Sequence, residues 1–493
     1  MDEGIETFDT SIGEITWDHG FTAPETAVHM YDVLDLQRAC QLYLWSLSIV
    51  GQAQWRSAYQ ENFPEFAPNS FVLAQSYEGR LGVLTVNQSS EYFFGWTNVQ
   101  HRAAILEIPA GVVVGLVTDM WQRGLTDVGW FGPNTGTGGM YVVSGPETPR
   151  DAIPDVKGAT VLESETNNIW LLLRFLDFEG QPPVKQLQDG VRLYFYGDEP
   201  SQHVIPAGDT PSQNYQPRGL RYWELLHEII QEEPVEDRDR FFMYWLMTLG
   251  IERGKPFAPD DRVKRILEEG ALIGETMAKT MVYSERLHGV LRHDGWRLII
   301  GGDLPDAFEH TQRMRDYDLF DPRARFTYEA CTSSPRMANP APGKGQAYAG
   351  VFEDSNGERL YGEQSYMMRV PPNVPAQLFW SMVIYDADTR TLIFTDQRKA
   401  TIGSRATPDV VVNEDGSISI FVGPEAPTGW EENWIKSIPG RGWFPYIRLY
   451  APDHAWFDDS FTLPQIERVD FADIKPPAGA VTKPDIGPEE PWI

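Results

Sequence analysis

Carboxylates set among aromatic side chains suit proton transfer, because burial raises a carboxyl pKa into the range where it exchanges protons. Glu91, Asp119 and Asp127 are the acid–base candidates in the first half of this sequence. In the second half, Arg448, Asn433 and Tyr450 offer groups that bind a substrate or steady an oxyanion. Arg448 and Asp127 read equally as a structural ion pair. The chain carries 16 Trp, 20 Tyr and 25 Phe, most of which must be core. The stretch Trp430-Glu431-Glu432-Asn433-Trp434, followed by Gly442-Trp443-Phe444, is dense enough to line a cleft, with an interdomain aromatic core as the competing reading. Asn433, Trp434, Trp430, Trp380 and Tyr92 are the expected substrate-binding residues. His101 and His454 join them because both adjoin β-rich stretches.

Familiar cofactor and metal motifs are missing. His227-Glu228-Ile229-Ile230-Gln231 lacks the second histidine of a zinc-binding helix and reads as the polar face of an amphipathic one. Asn134-Thr135-Gly136-Thr137-Gly138-Gly139 precedes a strand, so its glycines make a hairpin loop and not a phosphate cradle, and Pro342-Gly343-Lys344-Gly345 reads likewise. Asp354-Ser355-Asn356-Gly357-Glu358 has calcium-loop chemistry without EF-hand spacing and reads as a turn. No histidine pair has local metal-ligand spacing. We expect no metal site and no organic cofactor, with incidental calcium on turns such as Asp386/Asp388 and Asp458/Asp459. The sequon Asn87-Gln88-Ser89 reads as incidental.

The 493 residues correspond to two to four domains at roughly 100–200 residues each. A net charge of −30 repels phosphate backbones and anionic lipid surfaces, so neither nucleic acid nor membrane is an expected partner. The expected partners are a small-molecule substrate or glycan, with a homodimer left open. The acidic start, Met1-Asp2-Glu3-Gly4-Ile5-Glu6, has no secretory signal, so the chain is expected to be cytoplasmic, or secreted with its signal removed. Cys40 reads as core filling on a helix, and a link to Cys331 is left open.

Periodicity predicts one long helix over about Pro24–Val50, capped at Thr22. Short β-rich runs follow at Leu81–Val86, Ala104–Ile108, Val112–Val117, Met140–Ser144, Ile169–Phe175 and Val191–Tyr196. Helical spacing returns at Leu220–Gln231, Asp237–Leu249 and Pro259–His288. Strands resume after Trp296, with a hairpin about Asp415-Gly416 and a turn at Tyr385–Arg390. The expected fold is α+β and multidomain: two antiparallel β-sandwich or jelly-roll-like domains, an N-terminal long helix and a central helical block. Its predicted units are residues 1–217, with the first helix and β domain, then the helical block 218–295. The C-terminal sandwich 296–470 and an extended Pro-rich tail 471–493 complete them.

The run Tyr366–Val370, Pro371, Pro375, Phe379-Trp380-Ser381, Tyr385-Asp386 and Thr389-Arg390 resembles the C-terminal half of a two-domain family of unknown function found in bacteria, fungi and large algal viruses. Asn413, Asp415-Gly416-Ser417, Gly423-Pro424, Asn433-Trp434, Gly440–Trp443 and Arg448-Leu449-Tyr450 continue the likeness. The first half is similar through Leu84-Thr85-Val86-Asn87, Ile108-Pro109, Asp119-Met120-Trp121-Gln122, Thr126-Asp127 and Gly138-Gly139. The resemblance implies two β domains about a helical block and carries no established catalytic residues. Departures fall at Glu91, Asn98 and Met140: a glutamate has entered, and a usual aspartate and lysine have gone. If this region holds ligand, its charge logic differs from the family's. The expected function is cofactor-independent acid–base catalysis on a small neutral or hydrophobic molecule in an interdomain cleft. Hydrolysis, elimination, isomerisation and cyclisation are the candidate reactions. The alternative is a non-catalytic protein that binds glycans or apolar ligands.

Overall fold

The helix Pro24–Asn62 is buried on every face from Leu42 to Ala53, which explains a run there with no polar stripe. It runs twelve residues past the expected end, and Ala23, not Thr22, takes the cap position. Around it lie the helices Leu220–Glu232, Arg240–Thr248, Asp261–Tyr283 and Phe320–Glu329. Gly270 and Gly274 let Asp261–Tyr283 come close, since a Cβ at either would strike Ala39 or Tyr43 at 2.5 and 2.7 Å. The first helix is thus the axis of the helical block, although the sequence groups it with the first β domain. The computed structural model describes residues 4–284, 295–300, 317–331, 334–405, 407 and 409–477. His288, His293, His310, Ser333, the end of the helix expected to reach His288, and the tail beyond Pro477 lie outside the described residues.

Each β domain pairs two sheets. In the first, six strands run in the order His203–Pro206, Ser70–Ala74, Glu91–Asn98, Asn168–Phe175, Val113–Asp119, Gly124–Gly129. A four-stranded sheet, Thr160–Glu163, Gly139–Ser144, Ala104–Ile108, Arg192–Phe195, packs on it through Phe71, Phe93, Leu106, Val143 and Leu171. In the second domain the five-stranded sheet is Arg297–Leu298, Gln346–Gly350, Trp443–Pro452, Ala376–Asp386, Thr401–Gly403. Its partner sheet is Trp434–Lys436, Ile418–Gly423, Tyr366–Val370, Glu467–Arg468. Antiparallel pairing dominates, but an edge strand of three sheets pairs in parallel. A small exposed sheet, Ile5–Thr10, Gly13–Asp18 and Phe21–Thr22, precedes the long helix and has no counterpart among the expected elements.

Three local expectations are corrected. Residues 81–86 form a loop, because Gly82 and Thr85 take φ of 83° and 42° and break the extended run. The glycines at 134–139 cross from the six-stranded to the four-stranded sheet and do not close a hairpin. Residues 410–412 form no strand; Asn433 engages both backbone groups of Val411 at 2.8 Å instead. Cys40 and Cys331 are both buried and unlinked. Among the described residues no helix is long and apolar enough to cross a membrane.

Candidate functional site

The central strands of the two larger sheets each carry an arginine in an otherwise apolar run. Arg174 lies in Asn168–Phe175 and Arg448 in Trp443–Pro452. Pairing places Arg174 directly opposite Tyr92 and Val114. It places Arg448 opposite Tyr348 and Ser381, with Tyr450 opposite Gln346 and Phe379. Residues opposite one another share a face, so the first sheet presents Arg174 beside Tyr92 and the second presents Arg448 beside Tyr348. Between the sheets lies a cavity of about 80 Å³, where a lone water takes roughly 10–15 Å³. Its polar lining includes Arg174, Arg448, Arg336, Asp127, Ser334 and Gln346 with the tyrosines Tyr92, Tyr348 and Tyr446, amid Leu84, Phe94, Leu116, Phe131 and Met337.

The guanidinium of Arg174 donates to Ser90 Oγ at 2.8 Å and to the Tyr450 hydroxyl at 2.7 Å, and lies over the Tyr92 and Tyr450 rings. Its Nη2 has no partner although it is wholly buried. Arg448 donates to the Thr85 carbonyl and, at 2.8 Å, to the Tyr385 hydroxyl, and its buried Nε is likewise unpartnered. Among the described residues no carboxylate pairs with either. Tyr450 also accepts from Asn87 Nδ2 at 2.7 Å. Burial alone would raise its pKa, but Arg174 and Arg448 outweigh burial and hold the hydroxyl below the usual tyrosine range.

Asp127 accepts from Ser334 Oγ at 2.6 Å and from the Arg336 N–H at 2.9 Å. Burial pushes its carboxyl up to about 6 against these bonds. The alternative ion pair with Arg448 does not form, since the two groups have separate partners. Across the same seam the loop Tyr77–Ser90 reaches from the first domain onto the second. Tyr385 donates to the Val86 carbonyl at 2.8 Å, Thr85 N–H to Arg390 O at 2.8 Å, and Tyr77 to the Ile393 carbonyl. Asn87 is fully buried within this contact, its amide spent on Ser381, Tyr450 and the Ser89 N–H, so the folded chain offers no glycosylation site there.

The structure therefore gathers Asp127, Arg448 and Tyr92 at one cavity, with Tyr450 bonded to its lining. The other expected residues lie elsewhere. Glu91 turns to the opposite face of its strand from Tyr92 and accepts from Gln75 and Gln188 at 2.9 and 2.5 Å. Asp119 is buried beneath Arg123, which also forks onto Glu236 at 2.7 and 2.8 Å. Asn433 is fully buried, its bonds used on Val411 and Ser419. Trp430 donates to Lys475 O and Trp434 to Gly423 O, both at 2.9 Å, so these indoles pin the chain and form no open strip. Trp380 is buried on the face of its strand away from Ser381. His101 and His454 are exposed. The departures at Glu91, Asn98 and Met140 likewise leave the cavity untouched, for none lines it.

Among the described residues no three His, Cys, Asp or Glu side chains gather to hold a metal ion. Asp386 is taken by Arg441 and by the Asp388 and Thr389 N–H groups, and Asp388 by Arg218 and Lys279 at 2.7 Å. Arg174 is the residue that sequence reasoning passed over. Its signal was a lone charge in Trp170-Leu171-Leu172-Leu173-Arg174-Phe175, matched by Tyr446-Ile447-Arg448-Leu449-Tyr450.

Residues 68–195 match the family described as a protein of unknown function, DUF1254, and residues 345–454 match DUF1214, also of unknown function. No curated protein matches the chain. The fold is similar to the crystal structure of the VPA0106 protein from Vibrio parahaemolyticus, at 17% identity, over 88% of this chain and 100% of that one, with a TM-score of 0.50. An uncharacterised protein from Burkholderia cenocepacia matches at 12% identity over 90% of this chain and 97% of that one, with a TM-score of 0.41. The chain thus carries two domains of unknown function in succession, DUF1254 followed by DUF1214, one on each side of the arginine-lined seam.

Proposed function

We propose that this chain is an enzyme that performs acid–base chemistry on a small, mostly apolar organic molecule held where the two β domains meet. One observation carries this reading: a carboxyl, guanidiniums and several tyrosines line a single cavity whose walls are otherwise largely apolar. Asp127 is the proton-handling group. With a pKa near 6 it is ionised at neutral pH and still basic enough to accept a proton. Arg448 and Arg174 stabilise negative charge that develops on the substrate, and do so strongly because the site is screened from water. Tyr450 is a positioning residue that holds Arg174 from behind, itself held by Asn87. Hydrolysis, elimination, isomerisation and cyclisation all fit this set, without an organic cofactor.

The test incubates the purified full chain with a metabolite extract and compares products from wild type, Asp127→Asn and Arg448→Ala. Consumption of a metabolite by wild type that both variants spare supports the reading. Retained ligands with no turnover would overturn it in favour of a binding protein.

A further inference from the structure

We infer that the ligand of this cavity carries a carboxylate, seated against Arg174 and Arg448, with an apolar body toward Phe94, Leu116 and Met337. This rests on the cavity being the working site, and narrows the substrate to one class, the amphiphilic carboxylic acids. It also departs from the neutral guest that the acidic composition suggests.

The argument is one of charge. A buried ion is tolerated where an opposite charge and hydrogen bonds replace its water. Arginine does not escape the cost by losing its proton. Arg174 is 4% exposed and Arg448 7% exposed, yet their partners are hydroxyls and a carbonyl. Each also keeps one buried N–H with nothing to donate to. The neighbouring carboxyls do not redress this. Glu329 is committed to Arg325 at 3.3 Å and to the Tyr446 hydroxyl, and Asp127 to Ser334 and Arg336. On the cavity itself the guanidiniums of Arg174, Arg448 and Arg336 outnumber the one carboxyl, Asp127, and Arg80 lies buried beside Arg174 with only carbonyls as partners, so the walls carry surplus positive charge that an anionic head group offsets. The planar fork of a carboxylate matches the guanidinium geometry. Apolar lining excludes a ligand that is polar all round, which sets a free inorganic anion aside.

The experiment titrates the full chain with hexanoate and benzoate, with their amides hexanamide and benzamide, and with inorganic phosphate, following thermal unfolding and calorimetric binding. The expected result is saturable binding and a raised Tm with the acids, none with phosphate, and affinity for each amide lower by about tenfold or more. Arg174→Met should abolish the preference of acid over amide, and circular dichroism should show the variant folded. Arg174→Lys should keep part of that preference. Equal binding of acid and amide, phosphate binding as tight as the acids, or no binding by either acid would each overturn the inference. Turnover is scored separately. Acid binding without any reaction would sink the enzyme reading alone. Turnover of a neutral metabolite by wild type, lost in Asp127→Asn and not inhibited by either acid, would sink this inference alone.

Discussion

Two sets of arginines at the contacts between units of this molecule are treated in opposite ways. At the seam between the helical block and the first β domain, Arg123 is gripped by Asp119 and forked onto Glu236. Between the helical block and the second β domain, the exposed Arg218 bridges Glu275 and Asp388 at 2.8 and 2.7 Å, with Lys279 closing on the same Asp388. Each of these cations has its carboxylate. Between the two β domains, Arg174 and Arg448 have tyrosines and a backbone carbonyl. Ionic pairing is complete at these two contacts and left open at the cavity. A net charge of −30 shows that carboxylates are plentiful, so their absence beside these two residues is a property of the site.

The contrast breaks most severely if a paired carboxylate is removed. Asp119→Ala should cost about 1–3 kcal/mol in urea unfolding, because it leaves the Arg123 side-chain and backbone N–H groups that it accepts from unpaired while Glu236 still holds the charge, and binding at the cavity is unchanged. A loss under about 1 kcal/mol would show that the two seams do not differ as described.

A middle-sized effect belongs to Asp127. Its folded carboxyl lies at about 6 against 3.8 for an unburied one, so the folded state holds the proton more tightly than the unfolded chain. That contribution is fully present below about pH 4 and is lost as pH rises through 6, amounting to at most about 3 kcal/mol. Asp127→Asn should therefore gain on wild type in denaturant midpoint between about pH 4 and pH 7.5. Parallel pH profiles would remove Asp127 from the list of buried acids. Catalysis should run the other way, rising as Asp127 ionises.

The smallest effects belong to the residues that the structure places away from the cavity. Glu91→Gln and His101→Ala should each change stability by less than about 0.5 kcal/mol and leave ligand binding as in wild type. A tenfold loss of binding in Glu91→Gln would reopen the choice of site.

How far the sequence foretold this molecule follows from what each signal measures. Helical periodicity placed Leu220–Glu232 within a residue and Gly250, with φ of 73°, marked the stop after Arg240–Thr248. Those are local signals. The site is built from strands far apart in the chain, so Asp127, Arg448 and Tyr92 could be named while their convergence could not. Asn433 and Trp434 misled because a buried, fully bonded amide and a binding amide look alike in one dimension. Arg174 went unread because a charge in a strand of leucines was absorbed into the hydrophobic run around it.

The tongue formed by residues 77–90 gives the chain a constraint of inheritance. Its carbonyls at Thr85 and Val86 are ligated by Tyr385 and Arg448, so a wall of the first domain's chamber is finished by side chains of the second. A chimaera joining the first domain of one family member to the second of another must bring compatible residues at both ends of that graft. The two domains are accordingly expected to vary as one hereditary piece.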